Sequence, residues 1–122
     1  VILVDTSIWL HHLRSGDAAL TRLLHEGLVL GHAWVTGEVA MGHLAGRDEV
    51  LGLLANLPQA TVASDPEVMT LIQVRRLFGR GIGYVDAQLL ASTVLTAGAQ
   101  LWTRDKRLAA TASALGLAAR PH

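Results

Sequence analysis

The chain contains no cysteine, which excludes disulfides, cysteine-ligated zinc and thiol catalysis. It has no net charge either. Ten Lys and Arg residues balance ten Asp and Glu, so bulk electrostatics favour neither an anionic nor a cationic partner. A membrane span needs roughly 18 continuous apolar residues. The longest uncharged run, residues 87–103, is interrupted by Gln, Ser, Thr and Gly, so no membrane span is expected. No basic residues precede the N-terminal apolar run, and Asp5 cuts it short, so no signal peptide is expected and a cytoplasmic protein fits. Aromatics are scarce, at three Trp, one Tyr and one Phe, which disfavours a single-strand nucleic-acid binder built on base stacking. Lysine is nearly absent, with Lys106 the one Lys among ten basic residues. Arginine grips phosphate bidentately, but codon composition explains the bias equally well.

Apolar residues are abundant, at 51% with a mean hydropathy of +0.38. That excludes a disordered chain. A length of 122 residues fits a single domain spanning 1–122. A domain of this size buries only about two thirds of its unfolded surface. The apolar surplus therefore points either to a homodimer or protein partner, or to a helical core rich in Ala and Leu.

Short apolar runs alternate with helical patterns. Strands are expected at 1–4, 28–30, 61–63 and 100–103, with extended segments at 33–35 and 117–119. Helices are expected at 7–14, 17–26, 36–45 (capped by Thr36), 47–56, 64–78, 84–97 and 104–115, the loop at 79–83 being glycine-rich. Ser64-Asp65-Pro66-Glu67 is a strong helix start. Such alternation implies an α/β fold with a parallel sheet covered on both faces.

Six of the ten acids have ordinary explanations. Asp17, Asp48, Glu49, Asp65 and Glu67 open helices, where the dipole favours them. Glu26 stands at a helix end beside Gly27. Asp5, Glu38, Asp86 and Asp105 remain. Asp5 and Asp105 directly follow strands, at the carboxyl edge where open α/β sheets bind ligands. Glu38 is expected in the first turn of the helix capped by Thr36, and Asp86 in the first turn after the glycine loop. Asp5 and Asp86 are embedded in apolar sequence. Two carboxylates about 4 Å apart repel by about 4 kcal/mol at an effective dielectric near 20. Four converging acids therefore need a cation or shared protons. A hard divalent ion such as Mg²⁺ or Mn²⁺ suits an all-oxygen set, and such ions serve many nucleases.

The segments around these acids, in order, are Asp5-Thr6-Ser7-Ile8-Trp9, Glu38-Val39-Ala40-Met41-Gly42, Asp86-Ala87-Gln88-Leu89-Leu90-Ala91 and Leu101-Trp102-Thr103-Arg104-Asp105-Lys106-Arg107-Leu108. Together they resemble the PIN-domain ribonucleases, and among them the VapC toxins of bacterial toxin–antitoxin pairs. The resemblance spans essentially the whole chain. It implies a three-layer α/β/α sandwich with a short parallel sheet. It also implies a Mg²⁺- or Mn²⁺-dependent endoribonuclease that cuts structured RNA, tRNA or rRNA, by metal-activated water. By position, Asp5 and Asp86 match the main metal-binding acids, Glu38 and Asp105 the other two, and Ser7 and Thr103 the supporting hydroxyls. The implied partners are a VapB-type antitoxin, an RNA substrate and a second copy of the chain.

An anionic site needs cations nearby to attract RNA. The candidates are Arg75, Arg76, Arg80, Arg104, Lys106 and Arg107, each of which is otherwise explained as a solvated helix face. With so few aromatics, recognition of shape and phosphate is expected over stacking. The glycine loop lacks a phosphate-loop ending and reads as a flexible turn. The six histidines form no zinc motif and are expected to be exposed or incidental. Trp9, Leu10 and Leu13 form an apolar stripe, expected in the core or, alternatively, against an antitoxin. A receiver-type phosphoaspartate domain is disfavoured, because Ser7 stands where its second Asp would be. A non-catalytic PIN-like module and a PIN nuclease acting on DNA remain as alternatives.

Overall fold

In the computed structural model, which describes residues 1–121, the first apolar run forms the centre of the sheet. The elements in order are β1 (Ile2–Val4), α1 (Thr6–Ser15), α2 (Ala18–His25), β2 (Val29–Leu30), α3 (Ala33–Ala40), α4 (Arg47–Asn56), α5 (Asp65–Arg75), α6 (Tyr84–Leu95), β3 (Gln100–Trp102) and α7 (Lys106–Ala114). The three strands are parallel, in the order β2-β1-β3. Successive strand residues face opposite sides of a sheet. Leu3 and Val4 are both fully buried, so β1 is covered on both faces, as the α/β expectation requires.

The core joins Leu3, Val4, Ile8 and Trp9 to Leu20, Val35, Val39, Leu54, Leu89, Leu90, Leu101 and Leu108. Trp9 is thus a core residue, while Leu10 and Leu13 of the same stripe stay exposed. They flank a shallow apolar groove with Gly42, His43, Leu44 and Ala45.

Four expected elements differ. No strand or extended segment forms at 33–35. His32, extended at φ −149°, caps α3 by accepting the Trp34 N–H on Nδ1 at 3.0 Å, so the helix begins before Thr36 and ends at Ala40. Residues 61–63 form no strand. The ladder reaches only an isolated bridge between Gly31 and Gln59, and Gln88 supplies the missing strand partner from α6. Its Nε2 donates to Ala63 O and its Oε1 accepts from Ala63 N, both at 2.9 Å. Helix α5 stops at Arg75 because Arg76 takes a left-handed conformation at φ 54°. The segment 117–119 contributes one bridge, Leu101 to Ala118. The start at 64–67 forms as read, with Ser64 and Glu67 in a reciprocal capping box.

Candidate active site

Asp5 leaves β1 and caps α1. It is 7% exposed, and a carboxylate so placed needs hydrogen-bond donors to offset its desolvation. Three are supplied. The Thr6 N–H donates to Oδ1 at 2.8 Å. The hydroxyls of Ser7 and Thr103 donate to Oδ2 at 2.8 and 2.7 Å. Strand register brings Thr103 there, since Val4 pairs with Trp102 and the Asp5 N–H bonds Trp102 O at 3.0 Å. The same hydroxyls hold the chain that follows β3. Ser7 Oγ accepts from Arg104 N and Thr103 Oγ1 from Asp105 N, each at 3.0 Å.

Asp105 caps α7, accepting the Leu108 N–H on Oδ1 at 2.9 Å. Asp86 stands in the first turn of α6 and accepts the Gly83 N–H on Oδ2 at 3.0 Å. Burial pushes the Asp86 carboxyl above the usual carboxylate range. The Gly83 hydrogen bond opposes that rise, and the charges of Asp5 and Asp105 add to it. These three acids therefore share one electrostatic neighbourhood. Glu38 reaches it by another route. It is the sixth residue of the eight in α3, not in its first turn, because His32 starts the helix early. Its Oε1 accepts the Thr6 hydroxyl at 2.6 Å, which puts it one residue from Asp5.

Among the described residues, no Lys, Arg or His forms an ion pair with these four acids. Nor are three His, Asp or Glu side chains gathered tightly enough to hold a metal ion directly. Asp5, Asp86 and Asp105 each also accept hydrogen bonds from the chain's own donors. The set nevertheless fits a hard cation. It is all carboxylate oxygen, no ion pair with it is seen among the described residues, and Mg²⁺ characteristically keeps several waters and takes few protein ligands.

The basic candidates separate. Arg104, Lys106 and Arg107 are exposed beside Asp105. Arg107 lies across the glycine loop, where a Cβ on Gly81 would stand 2.7 Å from its Nη1. Arg80 Nε bonds Arg76 O at 3.1 Å. Arg75 instead lines a groove of about 500 Å³ with Leu71, Val74, Ala91, Val94 and Leu95, which none of the four acids lines.

Two connections were not anticipated. Thr6 gave no sign of its role, because its partner is 32 residues away. His32 is fully buried, unlike the exposed or incidental histidines expected. Its Nδ1 accepts from a backbone N–H, so the neutral ring carries its proton on Nε2, which faces Ser92 Oγ at 2.8 Å. Ser92 donates to Gln88 Oε1 at 2.7 Å. The chain of bonds ties α3, which carries Glu38, to α6, which carries Asp86. Burial lowers the pKa of His32. His122, also among the six histidines, lies outside the described residues.

Comparison with known proteins shows the family. The PIN domain family profile matches residues 2–114. Ribonuclease VapC32 of Mycobacterium tuberculosis, in strains CDC 1551 / Oshkosh and ATCC 25618 / H37Rv, is 52% identical over 118 residues, covering 97% of this chain and 95% of the relative.

Proposed function

This chain belongs to the PIN-domain family, and from that membership and the clustered acids we propose that it is a VapC-type toxin, a metal-dependent endoribonuclease cutting structured RNA such as tRNA or rRNA. The observation that supports this most is the trio of Asp5, Asp86 and Asp105. They gather at helix starts by the carboxyl edge of the sheet, and among the described residues none is seen in an ion pair with a cation.

Asp5, Asp86, Asp105 and Glu38 would hold Mg²⁺ or Mn²⁺. Such an ion supplies Lewis acidity toward the phosphate and makes water a competent nucleophile near neutral pH. The chain's own residues do the positioning. Ser7 and Thr103 fix the Asp5 carboxylate from one side and the Thr6 N–H from the other. The Thr6 hydroxyl holds Glu38. Arg104, Lys106 and Arg107 draw the RNA backbone toward an otherwise anionic edge. Hydrolysis is expected to leave 5′-phosphate and 3′-hydroxyl ends.

The proposed partners are a VapB-type antitoxin and a second copy of the chain, in the cytoplasm. Exposed Leu10 and Leu13 beside the 42–45 groove, and Val74 and Val94 on the α5–α6 groove, leave apolar surface for both.

The test is cleavage of total cellular RNA with Mg²⁺, with Mn²⁺, with EDTA, and by Asp5→Asn. Discrete fragments that require both the metal and Asp5 are expected. Undiminished cleavage by folded Asp5→Asn would sink the assignment of the site.

A further inference from the structure

Two of the five aromatic residues stand together where α3 and α6 begin. The rings of Trp34 and Tyr84 are 6.3 Å apart between centroids and inclined at 41°. Their surroundings differ from those of the other tryptophans. Trp9 is in the core and Trp102 packs against it, whereas neither Trp34 nor Tyr84 does so. Tyr84 is 41% exposed and Trp34 is partly exposed. Folding alone therefore leaves unexplained why two large rings are held at the surface.

The Tyr84 ring is anchored, the Trp34 ring packs against it, and Trp34 neighbours one of the acids on its own helix. The Tyr84 hydroxyl donates to Asp65 Oδ1 at 2.7 Å, tying the far end of its ring to the start of α5. The Trp34 backbone is fixed by the His32 cap. Trp34 lies four residues before Glu38, on the same face of α3 and about one turn, 5.4 Å, away. Tyr84 opens α6 two residues before Asp86, a spacing that does not put the two side chains on one face, so its ring belongs to the shelf through its contact with Trp34. A pre-oriented, partly exposed aromatic pair next to acids that act on a phosphodiester is suited to the flat face of a nucleobase.

We propose that Trp34 and Tyr84 form a stacking shelf for one unpaired nucleobase beside the phosphate that is cut. This rests on the ribonuclease reading above and adds a specificity element to it. The substrate then presents the cut in a loop or a splayed single strand, because a base inside a continuous duplex has no free face. The shelf also departs from the expectation, drawn from the scarcity of aromatics, that recognition of shape and phosphate prevails over stacking.

The experiment is steady-state cleavage of the shortest RNA oligonucleotide containing a cut site mapped from total RNA. Wild type, Trp34→Ala and Trp34→Phe are compared on that RNA and on versions with an abasic nucleotide at each position flanking the cut. Stacking lost to alanine costs a substantial part of the affinity for one base. Trp34→Ala is therefore expected to raise KM about ten-fold or more with little change in kcat, and Trp34→Phe to recover most of it. One abasic position should cost wild type a similar factor and cost Trp34→Ala nothing further. An unchanged KM in folded Trp34→Ala, or alanine and abasic effects that multiply, would overturn the shelf. Should Trp34→Ala fail to fold, the wild-type abasic series decides alone, and equal KM at every flanking position overturns the proposal. Absence of any RNA cleavage by wild type removes the ribonuclease reading and the shelf with it. Cleavage that is indifferent to base and ring removes only the shelf.

Discussion

Asp86 works against the fold it belongs to. Its carboxyl titrates above the ordinary 3.8, chiefly through burial, with Asp5 and Asp105 adding to the shift. The native chain thus holds this proton more tightly than the unfolded chain does. Between 3.8 and the raised value, stability falls as pH rises, and at neutral pH the ionised group is a net cost. Asn keeps an acceptor for the Gly83 N–H and removes the charge. Asp86→Asn is expected to melt higher than wild type in EDTA by calorimetry while losing cleavage. Mn²⁺ should narrow the gap by raising the wild type alone, and a lower melting temperature in EDTA would contradict this origin of the strain. Thr103→Val removes a donor to Asp5 and the acceptor for the Asp105 N–H. It is expected to lower kcat/KM about 10- to 100-fold and to raise the Mn²⁺ concentration needed for half activity. At this scale Asp5 and Asp86 stood out in the sequence because an acid inside apolar sequence has few structural explanations, and Asp105 because it directly follows a strand. Glu38 stood out as well, but its tether to Thr6 did not, since nothing local to either residue encodes a bond across 32 positions.

Helix beginnings set the site, and only some were legible: Asp17 and Ser64 cap helices as read, whereas Asp5 and Asp105, set apart in the sequence as acids without a capping explanation, prove to be caps as well. Asp5, Asp17, Ser64 and Asp105 all accept a backbone N–H at a helix start. His32 does the same for α3, yet histidine is not a usual cap, and the apolar Ala33-Trp34-Val35 that follows it reads equally well as a strand. What makes His32 work is its second bond, to Ser92 sixty residues on. That arrangement requires the neutral ring. The native pKa lies below the ordinary 6.5, so the unfolded chain binds the proton more readily, and stability is lost as pH falls below about 6.5. Urea denaturation at pH 7.5 and 5.5 should show this loss in wild type and a smaller one in His32→Asn, which has no imidazole to protonate. Equal losses would assign the acid sensitivity elsewhere. The glycine loop makes a second point. Gly81 has φ +75° and carries Arg107 against its Cα. Gly81→Ala is expected both to strain the turn and to displace Arg107, weakening RNA binding in a filter-binding assay more than it lowers the melting temperature.

Across the whole molecule, the alternation of apolar runs and helical patterns was enough to read a parallel α/β sheet. It was not enough to show how little sheet there is. Two of the expected strands reduce to single bridges or to none, because side chains such as Gln88 replace backbone partners. A short sheet under many helices leaves apolar surface outside, and Val74 is 70% exposed on the α5–α6 groove. Sedimentation velocity is expected to give twice the 13.0 kDa chain mass, with Val94→Glu shifting the protein toward monomer. A wild-type monomer at micromolar concentration would argue against this face.

The bond from Thr103 to Asp5 spans 98 positions, and it governs when the site exists at all. A ribosome delivers Asp5 98 positions ahead of Thr103, and β1 gains its β3 neighbour only after residues 100–102 have emerged. The site of the nuclease proposed here would stay unassembled until that stretch has been made, while tRNA and rRNA surround the ribosome at close range. A copy that stops before residue 100 would lack β3, Thr103 and Asp105 and is expected to cut no RNA.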